Sequence, residues 1–277
     1  MGAGTAAKLE AVRRRLAGLG SALVAFSGGA DSALVLALAH EVLGDRGVAA
    51  MGLSATYPES EVASARATAA HIGAVLLEVP TAQLGDPAFL RNDGRRCYHC
   101  RDDLYATLRP LAERHGLAAI CDGTNADDLG DHRPGLRAAR EAGVVSPLAE
   151  AGITKAEVRA ASRALGLPTW DKPQQACLSS RIPRGTPITV AALRRVEQAE
   201  AWLRGEGIAQ LRVREHGACA RIEVESAGDI LRLASEPLRS RCVQALRGLG
   251  YAFVSLDLEG FASGRMNRLV PEAEREL

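Results

Sequence analysis

Two groups of residues in this sequence have the types and spacing of reactive centres. The first is Ser27-Gly28-Gly29-Ala30-Asp31-Ser32, set between two apolar runs. Paired glycines let a backbone turn tightly and approach a ligand closely. Ser27, Asp31 and Ser32 are side chains that cap a helix starting near residue 31. The N–H groups at such a helix start, backed by the helix dipole, hold an anion, so the loop suits a phosphate. No Gly-Lys-Ser/Thr follows, so it is not a kinase-type P-loop, and the spacing is not GxGxxG. The second group is cysteine. Cys97 and Cys100 form a CxxC, and Cys177 stands in Ala-Cys-Leu-Ser-Ser-Arg at 176–181. The CxxC by itself leaves open a redox pair or half of a zinc site, with His99 as a further ligand. Cys121 ends an apolar run and reads as a buried structural thiol, as do Cys219 and Cys242.

The elements that must position these residues alternate in type. Strands are expected at 21–26, 47–55, 74–80 and 117–125, and helices at 31–44, 58–73 and 101–116. This β-α-β-α order predicts an α/β fold with a doubly wound, mainly parallel sheet. Ligands of such sheets sit beyond the carboxyl ends of the strands. The turns Ser27–Ser32, Ser54–Ser60 and Gly123–Asp131 all fall there. The stretch 81–96 has no clear period and reads as a mobile lid that orders when substrate or cluster binds. After residue 186 the pattern becomes a helix (189–207), two strands around His216-Gly217-Ala218 (211–224), one or two helices, and a strand (251–258). That order predicts a smaller C-terminal α+β domain. The boundary is placed in the Pro/Gly-rich 181–189, giving domains 1–186 and 187–277, the second for substrate binding or oligomerisation.

Composition narrows the class. A chain of 277 residues suggests about two domains, and 47% hydrophobic with 24% charged residues is ordinary for a soluble globular protein. No apolar run approaches a membrane span. The N-terminal stretch is a charged amphipathic helix pattern rather than a signal peptide. A cytoplasmic protein with reduced cysteines is therefore expected. A net charge of +1 gives no general attraction to nucleic acid.

The pattern Ser-Gly-Gly-x-Asp-Ser after a strand resembles the PP-loop of the N-type ATP pyrophosphatases. The stretches RCYHCRDDLY (96–105), DGTNADDLGDHRPGLRAAREAGVVSPL (122–148), ACLSSRIPRGTPIT (176–189) and LEGFASGRMN (258–267) resemble, in the same order, the LarE family of ATP-dependent sulfur transferases. The resemblance covers about residues 8–268. It implies an ATP- and magnesium-dependent enzyme of nickel-pincer cofactor biosynthesis. Such an enzyme adenylates a carboxylate of pyridinium biscarboxylic acid mononucleotide and converts it to a thiocarboxylate. It implies that Ser27, Gly28, Gly29, Asp31 and Ser32 hold the pyrophosphate end of ATP. The backbone around Gly52–Ser54 would face adenine, and Gly123 and Arg133 would touch AMP. The alternative for Arg133 is a surface ion pair in its acid-rich surroundings.

The same resemblance offers two sulfur sources. In one branch of the family a single cysteine, here Cys177, gives up its own sulfur. In the other, three cysteines, here Cys97, Cys100 and Cys177, hold a 4Fe–4S cluster with an open iron, and this chain has the three-cysteine pattern. The mononucleotide substrate brings a phosphate of its own. Arg212 and Arg214, two apart on a strand, point to one face, and arginine forks suit phosphate oxygens. Ser180 and Arg181 would bring a hydroxyl and a guanidinium to that phosphate. A hairpin turning at Gly217–Ala218 sets Glu223 opposite Arg212, ready to hold it; a solvated face with a cross-strand ion pair is the alternative. Glu200, mid-helix, is assigned to a solvated face by default. Expected partners are a sulfide or sulfur donor system, a downstream nickel-inserting protein and further copies of the chain. The rivals are a PP-loop tRNA thiolase, an ammonia-using amide-forming enzyme and a nucleotide sensor without chemistry. Near-neutral charge and 4% aromatic residues disfavour the first.

Overall fold

The computed structural model describes residues 2–130, 134–173 and 175–262. In chain order the elements are α1 (Ala3–Ala17), β1 (Ala22–Ala25), α2 (Ala30–Leu43), β2 (Gly47–Leu53), α3 (Glu59–Ile72), β3 (Leu76–Pro80), α4 (Pro87–Leu90), α5 (Arg96–Arg114), β4 (Ala119–Cys121), α6 (Pro134–Glu141), α7 (Pro147–Glu150), α8 (Lys155–Ala164), α9 (Val190–Gly205), β5 (Leu211–His216), β6 (Cys219–Val224), α10 (Ala227–Ala234), α11 (Leu238–Gly248) and β7 (Phe253–Leu256). They form two compact units. The first comprises the described residues of Met1–Gln83 and Cys97–Gln175; the second comprises Leu84–Arg96 and the described residues from Ala176 onward.

The first unit is built on a four-stranded parallel sheet in the order β3-β2-β1-β4. All of β1 is buried, and so is β2 up to its last residue, as in a parallel sheet covered on both faces. Side chains alternate between the two faces. Ala22, Val24, Ala49 and Met51 share a core with residues of α1, α2, α3 and α8. Leu23, Ala25, Val48 and Ala50 share another with Tyr105, Leu108 and Leu111 of α5. The expected doubly wound α/β sheet is present. Helix α2 is apolar nearly all round and correspondingly buried. A lone parallel bridge between Cys121 and Val145 continues the sheet beyond β4.

Element ends shift for local reasons. Strand β3 starts at Leu76 rather than 74 because Gly73, at φ 82°, closes α3 and Ala74 N–H still bonds back to Ala69 O. Helix α5 starts at Arg96 rather than 101 and so takes in the CxxC. The Asp93 carboxylate accepts from Arg95 N–H at 2.8 Å and turns the chain into it.

The second unit has a three-stranded sheet, β5-β6-β7, antiparallel at β5–β6 and parallel at β6–β7. His216 pairs with Cys219, and Gly217 at φ 64° makes the expected two-residue turn. Residues of α9, α10 and α11, such as Leu203, Leu233 and Leu246, cover the sheet.

This unit is larger than the sequence indicated. The expected boundary at 186/187 falls inside it, and the stretch 84–96 belongs to it. Asn92, buried at φ 56°, donates through Nδ2 to the carbonyls of Pro183 (2.8 Å), Thr186 (3.0 Å) and Ile182 (3.3 Å). Ile188 and Gly185 N–H bond to Leu90 and Asn92 carbonyls. What reads as a lid is thus pinned by backbone hydrogen bonds to 182–188. Among the described residues no helix is long and apolar enough to cross a membrane.

Candidate functional site

The strand order reverses between β1 and β4, so the ligand crevice of the first unit lies at their carboxyl ends. Beyond β1 the chain turns through Ser27-Gly28-Gly29 into α2. Gly28 sits at φ 72°, and a Cβ there would stand 2.7 Å from the Ala65 Cβ. Only glycine fits both that conformation and that space. Helix α2 starts at Ala30, one position before the expected start, and its N-cap is Gly29 rather than Ser27, Asp31 or Ser32, with no side chain capping it. Ser32 Oγ instead donates to Gly29 O at 3.2 Å and accepts from Ser27 N–H at 3.3 Å. These serines therefore fix the loop's shape and leave the helix start to a ligand, the arrangement an anion needs.

Gly123, beyond β4, packs directly on this helix start: a Cβ would lie 2.6 Å from Ser32 N. Asp31 accepts from Asn125 Nδ2 at 3.1 Å and pairs with Lys155, the first residue of α8. Lys172 donates to Gly28 O at 3.1 Å and pairs with Glu61 at 2.9 Å. Sequence reasoning missed both lysines. The capping box Thr154–Glu157 that places Lys155 is visible as a local pattern, whereas nothing near Lys172 marks it. Beyond β2, the Ser54 hydroxyl bonds to Thr56 at 2.6 Å and accepts from buried Gln83 at 2.8 Å. Arg133 lies outside the described residues.

None of the described cysteines is in a disulfide. Cys97 and Cys100 lie three apart in the first turns of α5, on one face, with Cβ atoms about 5–6 Å apart. Cys97 is exposed, and Cys100 and Cys177 are half-buried. Two thiols on one face suit a cluster or zinc. Among the described residues, however, no three His, Cys, Asp or Glu side chains form a metal-binding group. Burial pushes the Cys121 thiol up to about 12 and the Cys242 thiol up to about 11, as inert structural residues require.

In the second unit Cys177 is the N-cap of a 3-10 turn, Leu178–Arg181. Arg181 and Glu200 are both fully buried and form a two-pronged ion pair at 2.8 and 3.0 Å. Arg181 also donates to Ala176 O (2.6 Å), Cys177 O (3.1 Å) and Ser180 Oγ (3.0 Å). Its guanidinium is therefore committed to the Cys177 turn rather than offered to a phosphate. Glu200, expected on a solvated face, also accepts from Arg204 at 2.9 Å and Val213 N–H at 3.1 Å. Burial alone would raise its carboxyl. Arg181, Arg204 and the Val213 N–H outweigh that and hold it below the usual carboxylate range.

The hairpin register sets Arg212 opposite Glu223, as expected. The glutamate nevertheless holds Arg214, at 2.6 and 2.9 Å, and Arg221 at 2.8 Å. Arg214 also donates to Ser180 O at 3.0 Å. Arg212 is 4% exposed, lies over the Phe261 ring at 4.8 Å and bonds only to Leu211 O at 2.8 Å. Among the described residues it has no carboxylate partner. Burial, with Arg181 and Arg214 nearby, pushes it down to about 10 against the opposing charge of Glu200, so it is still charged at neutral pH. A buried cation without an ion-pair partner, beside a second arginine, has the chemistry that suits an anion.

Comparison with known proteins finds similar chains over nearly the whole length. A family model described as asparagine synthase matches residues 7–89, which hold most of α1, then β1, the Ser27–Ser32 loop, α2, β2, α3 and β3. An uncharacterized protein of Synechocystis sp. is 44% identical over 263 residues, 95% of this chain and 98% of that protein. The pyridinium-3,5-bisthiocarboxylic acid mononucleotide synthase of Lactiplantibacillus plantarum is 39% identical over 254 residues, 91% of this chain and 90% of that protein. An uncharacterized protein of Methanocaldococcus jannaschii is 29% identical over 174 residues, 63% of this chain and 67% of that protein.

Proposed function

The chain belongs to the LarE family of ATP-dependent sulfur transferases, and from that premise we propose that it adenylates a carboxylate of pyridinium biscarboxylic acid mononucleotide and replaces AMP with sulfur. The observation that carries the substrate choice is Arg212, buried and without a carboxylate partner. A mononucleotide phosphate supplies the missing anion. Arg214, braced by Glu223, and Ser180, whose carbonyl Arg214 holds, frame the same place. Arg181 and Glu200 keep the Cys177 turn rigid behind it.

In the first unit the substrate carboxylate oxygen attacks the α-phosphorus of ATP. Pyrophosphate leaves into the N–H groups of the Gly28–Ala30 turn, where the uncapped start of α2 favours negative charge. Asp31 would be the loop's carboxylate for a magnesium ion, which would neutralise charge on the phosphates; its oxygens accept from Asn125 and Lys155. Cys97, Cys100 and Cys177 are thiolate donors of the kind a 4Fe–4S cluster needs, and such a cluster, when bound, would supply the sulfide. The second reading is Cys177 as a sacrificial donor, a half-buried thiol at the start of the 3-10 turn that Arg181 holds.

The test is pyrophosphate release. Purified protein with ATP should release pyrophosphate and AMP only when the pyridinium mononucleotide is present. Release of pyrophosphate with tRNA instead would sink this reading. The Arg212→Leu variant separates binding from folding. It should raise the KM for the mononucleotide by about 100-fold, the value of a lost charged hydrogen bond. Its thermal midpoint should hold or rise, because a lone buried cation has been removed. A large fall in midpoint with an unchanged KM would make Arg212 structural.

A further inference from the structure

Ser27–Gly29 follow β1 and Asp122–Asn125 follow β4, at the same end of two neighbouring parallel strands. Neither segment contains a lysine or an arginine. Arg101 lies on α5, directly after Cys100, and its Nη1 donates to the Tyr105 hydroxyl at 2.8 Å while standing 4.0 Å from Asp122 Oδ2. Tyr105 donates in turn to Asp122 at 3.3 Å. The Asp122 carboxylate is already served by Thr124 N–H (3.1 Å), Thr124 Oγ1 (2.8 Å) and Ser146 Oγ (2.8 Å). Burial pushes the Tyr105 phenol up to about 12, so it stays protonated and keeps both bonds. Gly135 of α6 makes room for the stem: a Cβ there would stand 3.0 Å from Arg101 Cγ.

The arginine is thus oriented without being used up. Asp122 is 2% exposed but the Arg101 side chain is 44% exposed. Among the described residues its Nε and Nη2 have no partner. An ion pair built for stability would close the 4.0 Å gap and use both prongs of the fork. Here a buried tyrosine and aspartate fix a guanidinium whose remaining donors stay open at the strand ends. Gly123, next to Asp122, is packed against the α2 start, so those donors and the phosphate-suited turn belong to one end of the sheet.

We propose that Arg101 binds the α-phosphoryl group of the nucleotide, with Tyr105 and Asp122 as its positioning residues. The proposal rests on the adenylation reading. In that step a carboxylate oxygen forms a bond to the α-phosphorus, the bond to the bridging oxygen breaks, and its electron pair leaves with pyrophosphate. Arg101 donates its open N–H groups to the non-bridging α-oxygens and balances their charge in the adenylate. Because Arg101 follows Cys100 on the same helix, it ties the adenylate to the CxxC segment.

AMP is the probe that tests this, by calorimetric titration of the full-length protein. Arg101→Gln should weaken AMP binding by about 10–100-fold, as loss of a charge-assisted bond does. Arg101→Lys should recover part of it, and Tyr105→Phe should cost about 3–10-fold through lost orientation. Pyrophosphate affinity, read in the same way, should change less than about threefold, which a merely structural lesion would not spare. Binding of AMP by Arg101→Gln within a factor of about two of wild type overturns the proposal. So does a wild type that fails to bind AMP at millimolar concentration. If Arg101→Gln does not fold, Arg101→Lys decides, and unaltered AMP affinity there with unaltered pyrophosphate release counts against the assignment. A wild type that binds AMP but releases no pyrophosphate with the mononucleotide removes the adenylation reading and leaves the Arg101 test standing.

Discussion

Cys177→Ala should release pyrophosphate at a near-normal rate and form no thiocarboxylate. Adenylation draws on the Ser27–Ser32 turn and the Asp31–Lys155 pair, none of which involves this thiol. The Cys177 backbone is held through its carbonyl by Arg181 and the Ser180 N–H, and alanine keeps that carbonyl. Sulfur delivery, by contrast, has lost its donor or one of its three ligands. Iron and acid-labile sulfide after anaerobic reconstitution tell these apart. About four irons per wild-type chain, lost in Cys177→Ala, would support a shared cluster and predict multiple turnovers. No iron in either protein would leave Cys177 as the sulfur itself. Wild-type mass should then fall by one hydrogen sulfide after a single turnover. Thiocarboxylate formation by Cys177→Ala would sink both sulfur routes.

Glu200→Gln should be the most damaging single change to stability. The carboxylate is fully buried and accepts from Arg181 twice, from Arg204 and from Val213 N–H. Removing its charge leaves the buried Arg181 without compensation, which costs about 3–5 kcal/mol. The calorimetric midpoint should fall by about 10 °C. Replacing both partners, Arg181→Met with Glu200→Leu, should recover much of that loss, because an apolar pair has no charge to strand. A fall of less than about 2 °C for Glu200→Gln would show that the pair adds little. The lesion should also be felt at Cys177, since Arg181 spans from Glu200 to the Ala176 and Cys177 carbonyls. Lower mononucleotide affinity at temperatures well below the midpoint reads that out.

Period and punctuation made the first unit legible. Strands with continuous apolar runs, helices with acids first and glycine last, and a Ser-Gly-Gly turn at a strand end are local signals. They report the sheet, its layering and the phosphate-suited loop. The hairpin was equally readable, because Gly217 fixes the turn and the turn fixes which residues face each other. What escaped were choices made by distant partners. Glu200 reads as solvated because its own helix says nothing of Arg181. Glu223 faces Arg212 in the register yet grips Arg214, a decision of side-chain reach rather than spacing. Asn92 looks like a loop residue until its amide meets three carbonyls some ninety positions away. Lys155 and Lys172 attach to the Ser27–Ser32 turn through contacts that no local pattern records.

The second unit is discontinuous in sequence, Leu84–Arg96 followed by residues from Ala176. That has a consequence for synthesis on the ribosome, where chains emerge and fold from the N-terminus. Residues 84–96 are made early and must wait, with the Asn92 amide unanswered, until 182–186 have emerged. The first unit can meanwhile complete its sheet around them. A chain stopped before Ala176 therefore carries an orphaned segment of the other unit, and one begun at 187 lacks both pieces that close it. Neither unit can be cut out of the gene as a single uninterrupted stretch.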